Sequence, residues 1–238
     1  MLLGCTLMAQ SFEVASVRPH EGPMPSIGIT TSGVRLEAQA ETVAGLIQYA
    51  YDLKNYQLVF TPALLGIGDT FYDVQAKAEG DAAPSKAEFR RMLQQLLAER
   101  SRLSVHRETR EMSVYGLVIG KDGPKFRESA PETAHSGRLG VSGRNYEVLL
   151  KKASMDDVVN AVANSFPDRP VIDKTGLTGV YDVKLTYTPE TRSNRENPDP
   201  DDLSVFTAVQ EQLGLKLEPQ KAMVEVLIVD HVEKPSRN

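Results

Sequence analysis

Cysteine is almost missing from this 238-residue chain, with Cys5 standing alone. That excludes an internal disulfide framework, a four-cysteine zinc site and an iron–sulfur cluster. Long apolar runs are missing too. The longest, residues 1–9, stops at Gln10 and Ser11, well short of the roughly 20 residues that span a bilayer. Nor is there a surplus of positive charge: 27 basic against 32 acidic residues leave a net charge of -5. The chain therefore lacks an electrostatic footprint for a phosphate backbone, and nucleic acid is not expected as a partner. The histidines, His20, His106, His135 and His231, contain no pair at the spacing of a zinc site. No nucleophile elbow, dinucleotide fingerprint or P-loop occurs, so the expectation is no metal, no cofactor and no catalytic residue.

What is present is an ordinary globular composition, 41% hydrophobic and 25% charged, in a length suited to one or two domains. Residues 1–9 read like the end of a secretory leader, with small Ala9 before a cleavage point but without a basic start. The expected location is extracytoplasmic, in the periplasm or at the cell surface. Leu2-Leu3-Gly4-Cys5 resembles a lipobox, which would place a lipid on Cys5; the plainer alternative is an apolar terminal strand or tail.

One pattern occurs twice. Tyr72, Val74, Ala76 and Ala78 alternate with polar residues, and Tyr181, Val183, Leu185 and Tyr187 do so again, the period of half-buried strands. Ahead of each strand lies a helical stripe, Val43, Leu46, Ile47, Ala50 and then Met155, Val158, Val159, Val162. Thr42 and Ser154, the latter with Asp157, are placed to cap these helices.

Second helices follow. Phe89, Met92, Leu93, Leu96 and Leu97 mark one, begun by a Ser85/Glu88 capping box; Phe206, Val209 and Leu213 mark the other, capped by Ser204 and ended by Gly214. The first should be longer, because it continues through Glu99, Arg100 and Ser101. Opening strands are expected at 34–39 and 145–150, short ones at 57–60 and 169–173, and two closing strands per copy at 103–106 with 114–119 and 215–218 with 224–229. A polar insertion, 190–202, separates strand from helix in the second copy.

The expected fold class is α+β: two tandem repeats of a small β-α-β-β-α-β-β domain, with helices packed against small mixed sheets. The expected boundaries are 1–10 for a leader remnant, 11–120 for the first repeat, 121–143 for a linker and 144–238 for the second repeat.

Several motifs together resemble a large paralogous acidobacterial (Solibacter-type) family of exported proteins of unknown function. They are Phe12-Glu13-Val14-Ala15-Ser16-Val17-Arg18-Pro19, Tyr72-Asp73-Val74, Leu97-Ala98-Glu99-Arg100, Val105-His106-Arg107-Glu108-Thr109-Arg110-Glu111, Val171-Ile172-Asp173-Lys174-Thr175-Gly176-Leu177-Thr178-Gly179, Gln212-Leu213-Gly214-Leu215 and Val229-Asp230-His231-Val232-Glu233-Lys234-Pro235. The resemblance implies an envelope protein; in some relatives a similar segment is attached to membrane metallopeptidases of the beta-lactam-sensor type. It supplies no catalytic residues. By element order, each repeat is also similar to the short N-terminal domain of secretins and TonB-dependent transducers, which implies a protein-interaction or signalling module.

Asp173-Lys174-Thr175-Gly176 is identical to the start of the phosphorylated loop of P-type ATPases, where an aspartate is the nucleophile. Without a nucleotide domain, a turn between strands is the expected reading. The alternating charges of 106–111 are placed for cross-strand pairs, with a solvated hairpin as the plainer alternative. The apolar loop of Phe60, Pro62, Leu64, Leu65 and Ile67 is the candidate interaction surface, against packing over the first helix as its structural alternative. The functional expectation is an exported, non-enzymatic binding, sensing or interaction module for an envelope protein or cell-wall ligand. Its rivals are a hydrolase combining His106 or His231 with Glu108 or Asp230, and an architectural oligomer module.

Overall fold

A computed structural model describes residues 11–23, 28–64, 66–67, 70–189 and 202–236. The chain is mixed α+β, with four helices and three four-stranded sheets among the described residues. The first sheet runs β1-β5-β3-β2, from β1 (Phe12–Pro19), β5 (Phe71–Ala78), β3 (Arg35–Thr42) and β2 (Gly28–Ser32). The second runs β7-β11-β9-β8, from β7 (Arg127–Glu128), β11 (Tyr181–Tyr187), β9 (Asn145–Ala153) and β8 (Ser136–Ser142). Each strand of one therefore has its counterpart in the other, in the same sequence order. The third runs β10-β6-β12-β4, from β10 (Val171–Asp173), β6 (Ser104–Ile119), β12 (Leu215–His231) and β4 (Leu58–Phe60).

The helices form where caps and stripes demand. In α1 (Val43–Tyr51) the Thr42 side chain accepts the Gly45 N–H, and Val43, Leu46, Ile47 and Ala50 are buried. Capping boxes start α2 (Lys86–Ser101) at Ser85/Glu88 and α3 (Met155–Ala163) at Ser154/Asp157. Ser204 caps α4 (Val205–Leu213), which stops at Gly214 with φ 65°. The longer α2 ends instead on Arg102, a non-glycine residue at φ 48°.

Packing divides the chain into two compact units, residues 1–109 with 225–238 and residues 110–224. The reason lies in β6 and β12. Each closing pair expected from the sequence is one unbroken strand, of 16 and 17 residues, far beyond the usual five or six. Unit 1 holds the first half of β6 and the second half of β12. There β12 pairs in parallel with β4, Leu227 opposite Leu58, and Leu227, Val229 and Val232 join Leu46, Ile47, Phe89 and Leu93 in one core. Unit 2 holds the complementary halves. Its core gathers Leu117 of β6 and Leu215 and Leu217 of β12 around Val158, Val162, Leu185 and Val209, and β10 pairs in parallel with β6 through Val171 and Tyr115. Each buried leucine or valine contributes about 1.5–3 kcal/mol.

Beyond the strands the chain closes a helix end in each unit. Glu233 N–H donates to Ser101 O at 2.7 Å and Ser236 N–H to Arg100 O at 2.9 Å. In unit 2, Gly120 N–H donates to Gly214 O at 2.8 Å and Lys125 N–H to Leu213 O at 2.9 Å. Carbonyls left without partners at the ends of α2 and α4 are thereby satisfied. The segment 121–143, expected as a linker, supplies β7 and β8 to the second sheet. The charges of 106–111 form cross-strand pairs, but with β12 and not within a local hairpin: Arg107 with Glu225, and Glu111 with Lys221 at 2.7 Å. The insertion 190–202 lies, apart from Asp202, outside the described residues.

Because Leu117 of β6 and Leu227 of β12 serve different cores, Leu117→Ala and Leu227→Ala should have separate effects, each costing about 2–5 kcal/mol. Hydrogen exchange read by mass spectrometry should speed up in α3 and α4 for the first and in α1 and α2 for the second. Loosening of α1 and α2 by Leu117→Ala would contradict the partition.

Candidate functional site

The site begins with a defect in the first sheet. Pairing of β3 with β5 shifts register between Ala38 and Glu41, and Ala40 sits there at φ 46°. That left-handed conformation is unfavourable for alanine by roughly 1–2 kcal/mol, and it turns a buried N–H away from the ladder. Asp73 of β5 accepts that N–H at 2.9 Å. Its two oxygens also lie 3.0 Å from His20 Nδ1, and the His20 backbone N–H is tied to Phe71 O at 2.8 Å.

The same device recurs in the second sheet. Lys152 sits at φ 47°, beside a register shift between Tyr181 and Val183, and its N–H reaches both Asp182 and Ser129 Oγ at 3.1 Å. Ser129 Oγ donates to Asp182, and the Ser129 backbone N–H is tied to Val180 O at 2.9 Å. Histidine in unit 1 and serine in unit 2 thus hold equivalent aspartates. Both carboxyls lie below the ordinary carboxylate range. For Asp73 the main cause is the Ala40 N–H, opposed by partial desolvation and reinforced by His20. For Asp182 it is the Ser129 hydroxyl, followed by the Lys152 N–H.

On the outer face of the first sheet this corner opens into a hollow of about 330 Å³, lined by His20, Pro23, Glu37, Gln39, Asp73 and Gln75 among others. A second hollow of about 360 Å³, with Ser16, Arg35 and Lys77, shares Glu37 and Gln75 with it. The face is polar because strand alternation sends Leu36, Ala38, Val74 and Ala76 to the core and their neighbours outward. His20 and Asp73 are engaged by the bulge. Glu37, Gln39 and Gln75 are exposed, and their side chains make no hydrogen bond among the described residues.

Of the apolar loop, Leu64 is 9% exposed and belongs to the core cluster that contains Leu46 and Ile47 of α1. Phe60 and Ile67 pack against that cluster, Pro62 is exposed, and Leu65 lies outside the described residues. His106 Nδ1 is 2.9 Å from Asp230 and His231 Nε2 is 3.2 Å from Glu233, all four side chains being about half exposed. Glu108 is not part of either pair. His135 lies 3.1 Å from Lys152 O. Asp173 accepts from the Thr175 N–H and hydroxyl at 2.8 and 2.7 Å, so the ATPase-like tetrapeptide is a turn closed by its own aspartate, with Gly176 at φ 71°. No group of three or more His, Cys, Asp or Glu suited to a metal ion occurs among the described residues. Also among them, no helix is long and apolar enough to cross a membrane. The His20–Asp73 corner was not singled out from sequence, although Asp73 and Asp182 occupy matching places in the doubled Tyr-Asp-Val motif.

Asp73→Ala should leave the buried Ala40 N–H without an acceptor, at a cost of about 1–3 kcal/mol. Asp73→Asn keeps an acceptor but loses the charge. Since the folded carboxyl titrates below its unfolded value, the charge stabilises above about pH 4 and its contribution disappears as the pH falls through the lowered value. The gap in melting temperature between wild type and Asp73→Asn should close as the pH falls below the unfolded carboxyl value and through the lowered folded one; a gap that widens on acidification would refute the assignment.

No curated protein and no solved structure matches the chain. The DUF3738 family, described as protein of unknown function, matches residues 44–232. That stretch runs from α1 to the residue after β12 and takes in the core-forming helices and both long strands, so the chain belongs to the DUF3738 family.

Proposed function

We propose that this protein is an exported, non-enzymatic binding module of the cell envelope, built from two copies of one α+β repeat. The observation that carries the reading is the outer face of the first sheet, where Glu37, Gln39 and Gln75 line a hollow of about 330 Å³ with their hydrogen-bonding groups unengaged among the described residues. Carboxylate and amide oxygens accept from hydroxyls and amines, and the amides also donate. The ligand class that suits them is a hydroxyl- and amine-bearing one, such as a wall glycan or its peptide. Export rests on the leader-like residues 1–9, which lie outside the described residues, and on the resemblance to exported acidobacterial proteins.

Two features favour binding over hydrolysis. The His20–Asp73 pair fixes a backbone bulge that Ser129–Asp182 fixes equally well in the other unit, so histidine chemistry is not what the position selects. His106 and His231 pair with carboxylates on exposed strand surface. Duplication is supported by the matching strand orders, the matching bulges and the paired helices.

Titrating the chain with muropeptides and with wall-type oligosaccharides while following thermal unfolding should reveal one class that stabilises it. At about 100 times the dissociation constant the gain is roughly 2.7 kcal/mol, a shift of a few degrees. Glu37→Ala combined with Gln75→Ala should abolish it. Absence of any shift, a shift untouched by the double variant, or turnover of the ligand would each overturn the reading.

A further inference from the structure

Sheet edges present unpaired backbone groups, and proteins blunt them with bulges, prolines, lysines or short strands. The edges of this chain divide on that criterion. β1 carries a register shift between Phe12 and Val14 and ends at Pro19. β4 and β10 have three residues each and β7 has two. β2 has five, and its large apolar residue, Ile29, packs against the core. β8 is different. It runs seven residues in unbroken register with β9, has neither lysine nor proline, and exposes Leu139 by 54% and Val141 by 57%.

The free side of β8 has a defined phase. Gly143 and Arg144 form a two-residue turn between Ser142 and Asn145, with Gly143 at φ 61°. The pair closing such a turn exchanges its hydrogen bonds, so Ser142, Gly140, Arg138 and Ser136 direct their N–H and C=O groups toward β9. Val141, Leu139 and Gly137 direct theirs to the other side, where β8 has no strand neighbour among the described residues.

We propose that β8 pairs antiparallel with β8 of a second copy of this chain, about a two-fold axis at Leu139. In that register Leu139 faces Leu139, Gly137 faces Val141, Arg138 faces Gly140 and Ser136 faces Ser142, so each large side chain meets a small one except at the apolar centre. The outward groups of Gly137, Leu139 and Val141 all find partners. Leu139 and Val141 of the two copies share one face and cover each other. On the other face Gly140 leaves its row open, since a Cβ there would come no nearer than 3.8 Å to any neighbour. Glu147 is the β9 partner of Gly140. Arg138 of one copy therefore reaches across Gly140 of the other toward Glu147 behind it, and the two-fold axis makes this charge pair twice. Neither residue has an ion pair among the described residues. The contact is isologous and closed, joining two four-stranded sheets into one.

Light scattering on the whole chain, from about 1 to 500 µM as suits a small interface, tests this. The mass should rise from one chain to two, and exchange of the Gly137, Leu139 and Val141 amides should slow with concentration in the unaltered protein. Leu139→Lys, Arg138→Glu and Glu147→Arg should each hold the protein at one chain, and Arg138→Glu with Glu147→Arg together should restore two. A single-chain mass throughout, or a dimer that survives Leu139→Lys and Arg138→Glu, overturns the proposal. So does a double variant that stays at one chain.

Discussion

Two strands too long for the core in which they begin set the terms for everything else in this chain. Strands of 16 and 17 residues cannot bury both ends against the few helical turns of a unit this size, and β6 and β12 do not try. Each gives its first half to one core and its second half to the other, where Leu117 and Val229 occupy corresponding places opposite the last residues of the short parallel strands β10 and β4. The closing residues then follow from geometry. Having entered the other unit, the chain passes the end of that unit's second helix, where Glu233, Ser236, Gly120 and Lys125 donate to carbonyls that would otherwise lack partners.

Within each unit a second constraint shapes the antiparallel sheet. Placing Ala40 and Lys152 at positive φ takes a residue out of the ladder, bends the sheet and leaves an N–H that only a well-placed acceptor can satisfy. Asp73 and Asp182 supply it. Their neighbours differ, His20 in one case and Ser129 in the other, while the backbone arrangement is shared. The polar hollow of the first sheet lies against this corner, so an element that looks catalytic in isolation, a histidine on an aspartate, serves the architecture from which Glu37, Gln39 and Gln75 project.

Local order was legible in the sequence. Hydroxyl caps at Thr42, Ser85, Ser154 and Ser204 and the apolar stripes behind them place all four helices, and alternation around Tyr72 and Tyr181 places the central strands with their buried faces. Partnership was not legible. The periodicity of 114–119 and 224–229 marks strands but carries no label saying which core they enter, and the charged interval between the halves of β6 looks like a turn until its partners on β12 are known. β8, with two glycines and one arginine in seven residues, has too little apolar alternation to distinguish it from a connection. The His20–Asp73 corner was hidden for the same reason: His20 and Asp73 are 53 residues apart, and a bulge at Ala40 has no glycine to announce it. The apolar loop at Phe60 to Ile67 drew attention by composition, yet Leu64 uses its surface in the core.

Fragment folding tests the exchange of the closing strands most directly. Residues 110–224 and residues 121–238 should be prepared separately and unfolded in denaturant with amide spectra recorded alongside. Residues 110–224, which contain Leu117 and the whole of the second core, should unfold cooperatively with dispersed amides, whereas 121–238 should not. A cooperative, well-dispersed 121–238 beside an unfolded 110–224 would contradict the exchange, because the second half would then close on its own strands.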